Sequence, residues 1–317
     1  MRAVHLDRFG EADVLRLVEV PRPVPMGTEI LVRVVAAGVN PVDWYTRAGD
    51  GLLHSLPMSL GWDLSGIVEE VGLGVTRFAV GDEVFGMPWF PREAGAYAEY
   101  VVAPSRQLAR KPATMSHVEA AGLPLAGLTA WQVLVDNADV RPNQRVLITA
   151  AAGGVGHLAV QIAKARGAYV IGTAREAKHD FVRSLGADEV IDYTRTNPAN
   201  VVDDLDVVFD PVGGPHAEDL LSVIKPGGLL LPFTAEQPIF DAAAARGVRV
   251  VEVLVEPDGH GLESLARMVE FGTLRVVVDK TLPLEAAAAA HLYGERGRTR
   301  GKIVLTIVDP SPTSAVV

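Results

Sequence analysis

The chain has 317 residues, 49% of them apolar, with 29 basic against 39 acidic side chains and no cysteine. That length and apolar share suit two domains sharing one cleft, each with its own core. The net charge of −10 gives no sign of a nucleic-acid surface, and the missing thiols exclude disulfides, thiolate nucleophiles and cysteine-ligated zinc.

Met1-Arg2-Ala3-Val4-His5 runs straight into strand-like sequence without a signal-peptide pattern, and no apolar run reaches the ~20 residues that span a bilayer. A cytoplasmic protein with no membrane partner is expected. Up to about Ala120, short strands separated by Gly and Pro predict an irregular, barrel-like β domain, clearest at Glu29 to Ala37, Gly66 to Val71, Glu83 to Met87 and Ala96 to Ala103. Near Val118 the texture changes. Glu119 to Val135 is a helical stretch interrupted by Pro124, after which strands and helices alternate, as in a doubly wound parallel sheet.

Strands are expected at Val146–Thr149, Tyr169–Thr173, Glu189–Asp192, Asp206–Asp210, Leu229–Phe233 and Val248–Leu254, with helices at Gly156–Arg166, Lys178–Leu185, His216–Ile224 and Asp241–Arg246 between them. After a further helix at Leu262–Phe271, strands Val276 to Leu282 and Lys302 to Val308 flank a helix at Leu284–Gly294. These return the chain to the first domain, and Pro310 to Val317 reads as a mobile tail. The expected division is 1–121 with 276–317 for the first domain, and 122–275 for the nucleotide-binding one.

The most informative stretch is Ala151-Ala152-Gly153-Gly154-Val155-Gly156, between a buried strand and an apolar-periodic helix that leads into a second strand. Such a turn places a helix N-terminus, with its unpaired N–H groups and partial positive charge, where a pyrophosphate can reach the backbone. Ala151 stands where the G-x-G-x-x-G fingerprint has its first glycine, which is tolerated if its φ stays negative. Together with Gly127-Leu128-Thr129-Ala130, the turn resembles the medium-chain dehydrogenase/reductase superfamily, in particular its zinc-free quinone oxidoreductase (ζ-crystallin-like) branch, over nearly the whole chain. The resemblance implies a GroES-like catalytic domain plus a Rossmann domain, with Ala152 to Gly156 against the coenzyme.

The second strand of that unit ends Gly172-Thr173-Ala174-Arg175, with no carboxylate at its tip to bond ribose hydroxyls, and Lys178 follows. An Arg and a Lys suit a 2′-phosphate dianion, and the resemblance adds Tyr193, so NADPH is the expected coenzyme. Glu176 complicates this, as either a first-turn helix acid or a ribose ligand. Thr173, and Phe233 with Thr234 at another strand's carboxyl end, are expected to border the coenzyme. Thr129 matches a family threonine near the nicotinamide or is a helix hydroxyl bonding its own turn. Lys302, in Gly301-Lys302, is near the coenzyme by resemblance or a solvated strand start.

Zinc relatives carry a cysteine after the Gly-Val of the second β segment and a Gly-His-Glu further on, whereas this chain reads Gly38-Val39-Asn40 and Gly61-Trp62-Asp63. No metal is expected, and His157 is read as a packing or coenzyme-neighbour histidine. Without a Lewis acid the acceptor must delocalise its developing charge, as quinones and α,β-unsaturated carbonyls do. Asn40-Pro41-Val42-Asp43-Trp44-Tyr45-Thr46-Arg47-Ala48-Gly49 matches the branch's Asn-Pro-x-Asp/Glu-x-Tyr-x-Arg-x-Gly pattern, which implies Asn40 and Tyr45 at the nicotinamide and substrate, with Asp43 beside them or capping the next helix. An enoyl reductase, another zinc-independent alcohol dehydrogenase-like enzyme and a noncatalytic NADPH-binding, crystallin-like protein are the competing readings. Relatives pair through the edge of the nucleotide sheet, here Val248–Leu254, which implies a homodimer.

Overall fold

The computed structural model describes residues 1–214 and 216–307. The expected tail from Pro310, and Val308 of the last expected strand, lie outside them. By packing, the chain forms two units: Met1–Leu125, Pro257–Arg267 and Val278–Val317 in the first, Ala126–Glu256 and Met268–Val277 in the second. Residues 122–125 and 257–267 thus fall in the first unit, not with the nucleotide-binding residues as the sequence division had them.

The first unit is β-rich. A seven-stranded sheet runs in the order Val278–Pro283, Lys302–Thr306, Glu29–Val39, Asp63–Val71, Glu83–Gly86, Leu108–Arg110, with Tyr100–Pro104 also pairing on Glu29–Val39. The C-terminal strand Lys302–Thr306 pairs antiparallel with Glu29–Val39, bringing Ile303 opposite Val39. Alternating residues of these strands, among them Ile30, Val32, Val34, Leu64, Val84, Ile303 and Leu305, form one apolar core together with Tyr97. A short helix, Pro41–Ala48, follows strand Glu29–Val39 directly; Pro41 fits its first turn, and Gly49 ends it in the left-handed region at φ 101°.

The second unit is a six-stranded parallel sheet in the order Glu189–Ile191, Tyr169–Thr173, Arg145–Ile148, Leu205–Asp210, Ile224–Pro232, Arg249–Val250. Numbered by appearance within the unit, this is 3-2-1-4-5-6, the dinucleotide-binding order, whose ligand crevice lies beyond the carboxyl ends at the switch between first and fourth strands. Leu147, Ile171, Leu205, Val208 and Leu230 fill its core.

One expectation is corrected. The edge strand expected at Val248–Leu254 pairs only over Arg249–Val250. Its neighbour ends in Pro232, which has no N–H to continue the ladder, and Glu252 instead accepts the Ala235 N–H at 2.6 Å. The helical stretch Glu119 to Val135 is interrupted at Pro124 as expected, into His117–Ala121 and Pro124–Trp131, and it ends in a π-helical turn Gln132–Asn137. The side chain of Gln132 exchanges two 2.9 Å hydrogen bonds with the backbone of Glu256. No helix among the described residues is long and apolar enough to cross a membrane.

Candidate coenzyme site and the buried polar network

In the second unit the glycine turn joins strand Arg145–Ile148 to helix Gly156–Ala165. A Cβ at Gly156 would lie 2.3 Å from the Ala150 carbonyl oxygen and 2.8 Å from the Ala151 Cα, so only glycine lets the helix start this close to the turn. Positive φ falls on Ala150, at 48°, and not on Ala151, which explains why alanine is tolerated at the first fingerprint position. Thr173 braces the turn from the next strand. Its hydroxyl accepts the Ala150 N–H at 3.3 Å and its carbonyl accepts the Ala151 N–H at 3.0 Å.

His157 is fully buried, and the Val277 N–H donates to its Nε2 at 3.3 Å. Nδ1 therefore carries the ring proton and donates to the Gly153 carbonyl at 2.9 Å, so this histidine holds the turn in shape. The His157, Leu158 and Ala159 N–H groups are taken by the Gly153 and Val155 carbonyls at 3.0–3.1 Å, so the backbone an anion would meet here is that of the small-residue turn ahead of them.

Beyond the carboxyl ends of strands Tyr169–Thr173 and Glu189–Ile191 two loops are stitched together. The Arg175 Nε donates to the Tyr193 hydroxyl at 3.1 Å, and the Glu176 N–H donates to Asp192 Oδ2 at 3.3 Å. Lys178 closes the short 3₁₀ turn Glu176–Lys178 that follows Arg175. Arg175 and Tyr193, expected around a 2′-phosphate, are thus in contact. Phe233 is 40% exposed just past strand Ile224–Pro232 and packs edge-to-face on Phe209 at 5.9 Å; Thr234 beside it is exposed. Thr129 is buried in helix Pro124–Trp131.

The first unit gathers Asn40, Asp43 and Lys302 into one buried network and leaves Tyr45 out of it. The Asp43 carboxylate accepts the Asn40 backbone N–H at 2.7 Å, the helix-capping arrangement, and the Tyr97 hydroxyl donates to the same oxygen at 2.9 Å. The Asn40 side-chain amide is fixed at both ends: Oδ1 accepts from the Lys302 ammonium, and Nδ2 donates to Asp63 Oδ2 at 2.9 Å. Lys302 also lies 3.6 Å from Asp63, whose other oxygen accepts the Leu125 N–H at 2.7 Å. The network continues from Tyr97 to His291 at 3.3 Å, then to Arg47, which is paired with Glu295 at 2.6 Å.

Every side chain in the network but Glu295 is at most 3% exposed, while Tyr45 is 56% exposed. Burial pushes the Asp43 carboxyl up to about 7, against the hydrogen bonds from Asn40 and Tyr97 that favour its charge. Burial likewise raises Asp63 and lowers Lys302, opposed by their mutual attraction. It takes the His291 imidazole down to about 3, with the Arg47 charge acting in the same direction.

Lys302 is therefore a buried cation, not a solvated strand start. Asp63, Tyr97 and His291 escaped the sequence reading as site residues, and Arg47 entered it only as a position of the branch motif with no role. Asp63 had a signal, an acid opening a strand whose first half is otherwise uncharged, but Tyr97 and His291 are 194 residues apart and had none. Zinc does not fit here. Where zinc relatives place the cysteine and the histidine this chain has Asn40, whose Oδ1 accepts from Lys302, and Trp62, whose indole N–H donates to the Arg92 carbonyl at 2.6 Å; Asp63, at the glutamate position, is paired with Lys302, and no metal-holding group of three or more His, Cys, Asp or Glu occurs among the described residues.

Residues 26–113 match the alcohol dehydrogenase GroES-like domain family and residues 185–305 the zinc-binding dehydrogenase family. The chain is 36% identical, over 96% of its length and 79% of the relative's, to an NADPH-dependent alkenal/one oxidoreductase, chloroplastic, of Arabidopsis thaliana. Among solved structures it is similar to the quinone oxidoreductase from Coxiella burnetii, with 36% identity, a TM-score of 0.92 and coverage of 97% and 99% of the two chains. It is also similar to the Escherichia coli quinone oxidoreductase complexed with NADPH, at 28% identity, TM-score 0.87 and coverage of 96% and 100%. With its 3-2-1-4-5-6 sheet, its glycine turn and no fit for zinc, the chain belongs to the medium-chain dehydrogenase/reductase superfamily, in the zinc-free quinone oxidoreductase branch.

Proposed function

We propose that this protein is an NADPH-dependent, metal-independent reductase of quinones or α,β-unsaturated carbonyl compounds. The observation that carries the reading is the turn at Gly156, where any side chain would strike Ala150 and where the backbone of a small-residue turn leads into a helix N-terminus. Bound NADPH supplies the hydride. Arg175 and Tyr193, already in contact, and Lys178 hold the 2′-phosphate; Ala152 to Gly156 hold the diphosphate; Thr129, Phe233 and Thr234 border the nicotinamide half.

The named activities of the alkenal/one and quinone relatives support the acceptor class. So does the chemistry, since such acceptors spread the charge that a metal would otherwise stabilise. Tyr45, with its exposed ring on helix Pro41–Ala48, offers its hydroxyl to the nascent enolate or hydroquinone anion. Asn40 and Asp43 act one step back, fixing the start of the helix that carries Tyr45. A homodimer through the sheet edge at Arg249–Val250 and a cytoplasmic location complete the reading. Sedimentation and cell fractionation test these two, and the Arabidopsis relative is chloroplastic.

NADPH oxidation measured with a panel of quinones, 2-alkenals and saturated ketones, with and without a chelator, tests the proposal. Turnover with the first two classes, none with saturated ketones and no effect of chelation are expected. Loss of turnover on chelation with recovery on adding zinc would overturn the metal-independent reading. Tight NADPH binding with no acceptor reduced would make the protein a binding protein instead.

A further inference from the structure

Glu176 is the acid that follows the tip of strand Tyr169–Thr173, and left alone it would oppose the 2′-phosphate reading. It stands directly after Arg175, where a free carboxylate repels a dianion and can accept both ribose hydroxyls. The structure gives it another partner. Arg195, in the loop that follows strand Glu189–Ile191, donates from Nη2 to Glu176 Oε2 at 2.7 Å, and its Nε lies 3.8 Å from Asp192 Oδ2.

The loop is built to present Arg195 there. Asp192 Oδ1 accepts the Thr194 N–H at 3.0 Å and the Thr194 hydroxyl at 2.7 Å, and the Asp192 carbonyl accepts the Arg195 N–H at 3.1 Å. The other Asp192 oxygen holds the Glu176 backbone. One loop therefore provides both the Tyr193 hydroxyl that receives Arg175 and the guanidinium that occupies Glu176.

We infer that Arg195 sets the coenzyme preference by masking Glu176: it keeps that carboxylate from acting as a ribose ligand and lets the tip of the strand meet a phosphate. Arg195 is a positioning residue here, acting through Glu176. The inference rests on the reading of Arg175, Lys178 and Tyr193 as the 2′-phosphate site. Arg195 and Glu176 are exposed, at 69% and 65% for their side chains, so water and salt screen the effect and it is several-fold, not absolute.

Dissociation constants for NADPH and NADH, measured by fluorescence titration on the intact protein, test it. Arg195→Gln should weaken NADPH by about three- to tenfold, the size of a Coulomb interaction between exposed charges a few ångströms apart. NADH should be unchanged or tighter. Adding Glu176→Gln should return NADPH to within about twofold of the starting protein, because the masked charge is gone, and in 1 M salt the effect of Arg195→Gln should shrink.

Equal weakening of both coenzymes would make Arg195 a merely structural loop residue and overturn the inference. So would an unchanged NADPH affinity, or a failure of Glu176→Gln to rescue. Arg175→Ala with Lys178→Ala separates the two levels. If that pair weakens NADPH alone while Arg195→Gln does nothing, only the masking role falls. If it weakens both coenzymes alike, the phosphate site and the masking role fall together.

Discussion

The polar network of the first unit and the charged loops beyond the second strand of the second unit use the same residue types in opposite surroundings. Lys302, Asp63, Asn40 and Asp43 are all but sealed from water, each bonded to another, and the carboxyls and the ammonium are shifted toward neutrality by burial. Arg175, Glu176, Tyr193 and Arg195 are bonded to one another just as specifically but stand in solvent. A buried charge that loses its partner costs several kcal/mol, whereas an exposed pair contributes at most about 1 kcal/mol. The first set is thus committed to stability, and the second remains available to a ligand.

The sharpest attempt to break this contrast is Lys302→Met. It leaves Asp63 and the Asn40 carbonyl buried with one partner fewer and should cost about 3–5 kcal/mol in urea unfolding. Asp63→Asn in the same background should recover part of the loss by removing the stranded charge. A loss below ~1 kcal/mol for the single variant would mean that the pair contributes no more than a surface one.

A smaller effect is expected from pH. The Asp43 carboxyl, raised to about 7, binds its proton more tightly folded than unfolded, so its contribution is fully favourable below about pH 4 and is lost as pH rises to 7. His291, lowered to about 3, works in the opposite sense, because the unfolded imidazole takes up a proton below about 6.5 that the folded one refuses. The two slopes oppose each other between about pH 4 and 6.5. Asp43→Asn removes one of them, so its stability relative to the parent should improve by a few kcal/mol from pH 4 to pH 7.5. Parallel stability curves would show that Asp43 does not titrate in this range.

The smallest change in stability is expected in the exposed loops. Tyr193→Phe removes the acceptor of Arg175 and should leave unfolding within about 0.5 kcal/mol of the parent. It should weaken NADPH a few-fold without weakening NADH. A large loss of stability would place Tyr193 with the structural residues and erase the contrast.

Much of this was legible in the chain. Apolar periodicity located the strands at Arg145–Ile148 and Tyr169–Thr173 and the helix at Gly156–Ala165, and the glycines marked the tight turn from the first strand into the helix. The strand read at Val248–Leu254 was overextended, because its apolar residues say nothing about a neighbour that ends in Pro232. The motif that singled out Asn40 and Asp43 carries no information on whether such residues meet substrate or hold a helix; the structure adds that both are buried and that Asp43 accepts the Asn40 N–H at the helix start.

By itself the sequence determined what depends on neighbours along the chain: the β-rich and alternating segments, the glycine turn, the missing thiols, and the Arg and Lys after the second strand. Only the tertiary structure decided which distant charges meet. Lys302 reaches Asn40 across 262 residues, Val277 sets the tautomer of His157, and Arg195 captures Glu176. The reason is physical: backbone conformation follows local sterics and periodicity, whereas the state of an ionisable side chain depends on its solvent exposure and on partners that folding brings from elsewhere.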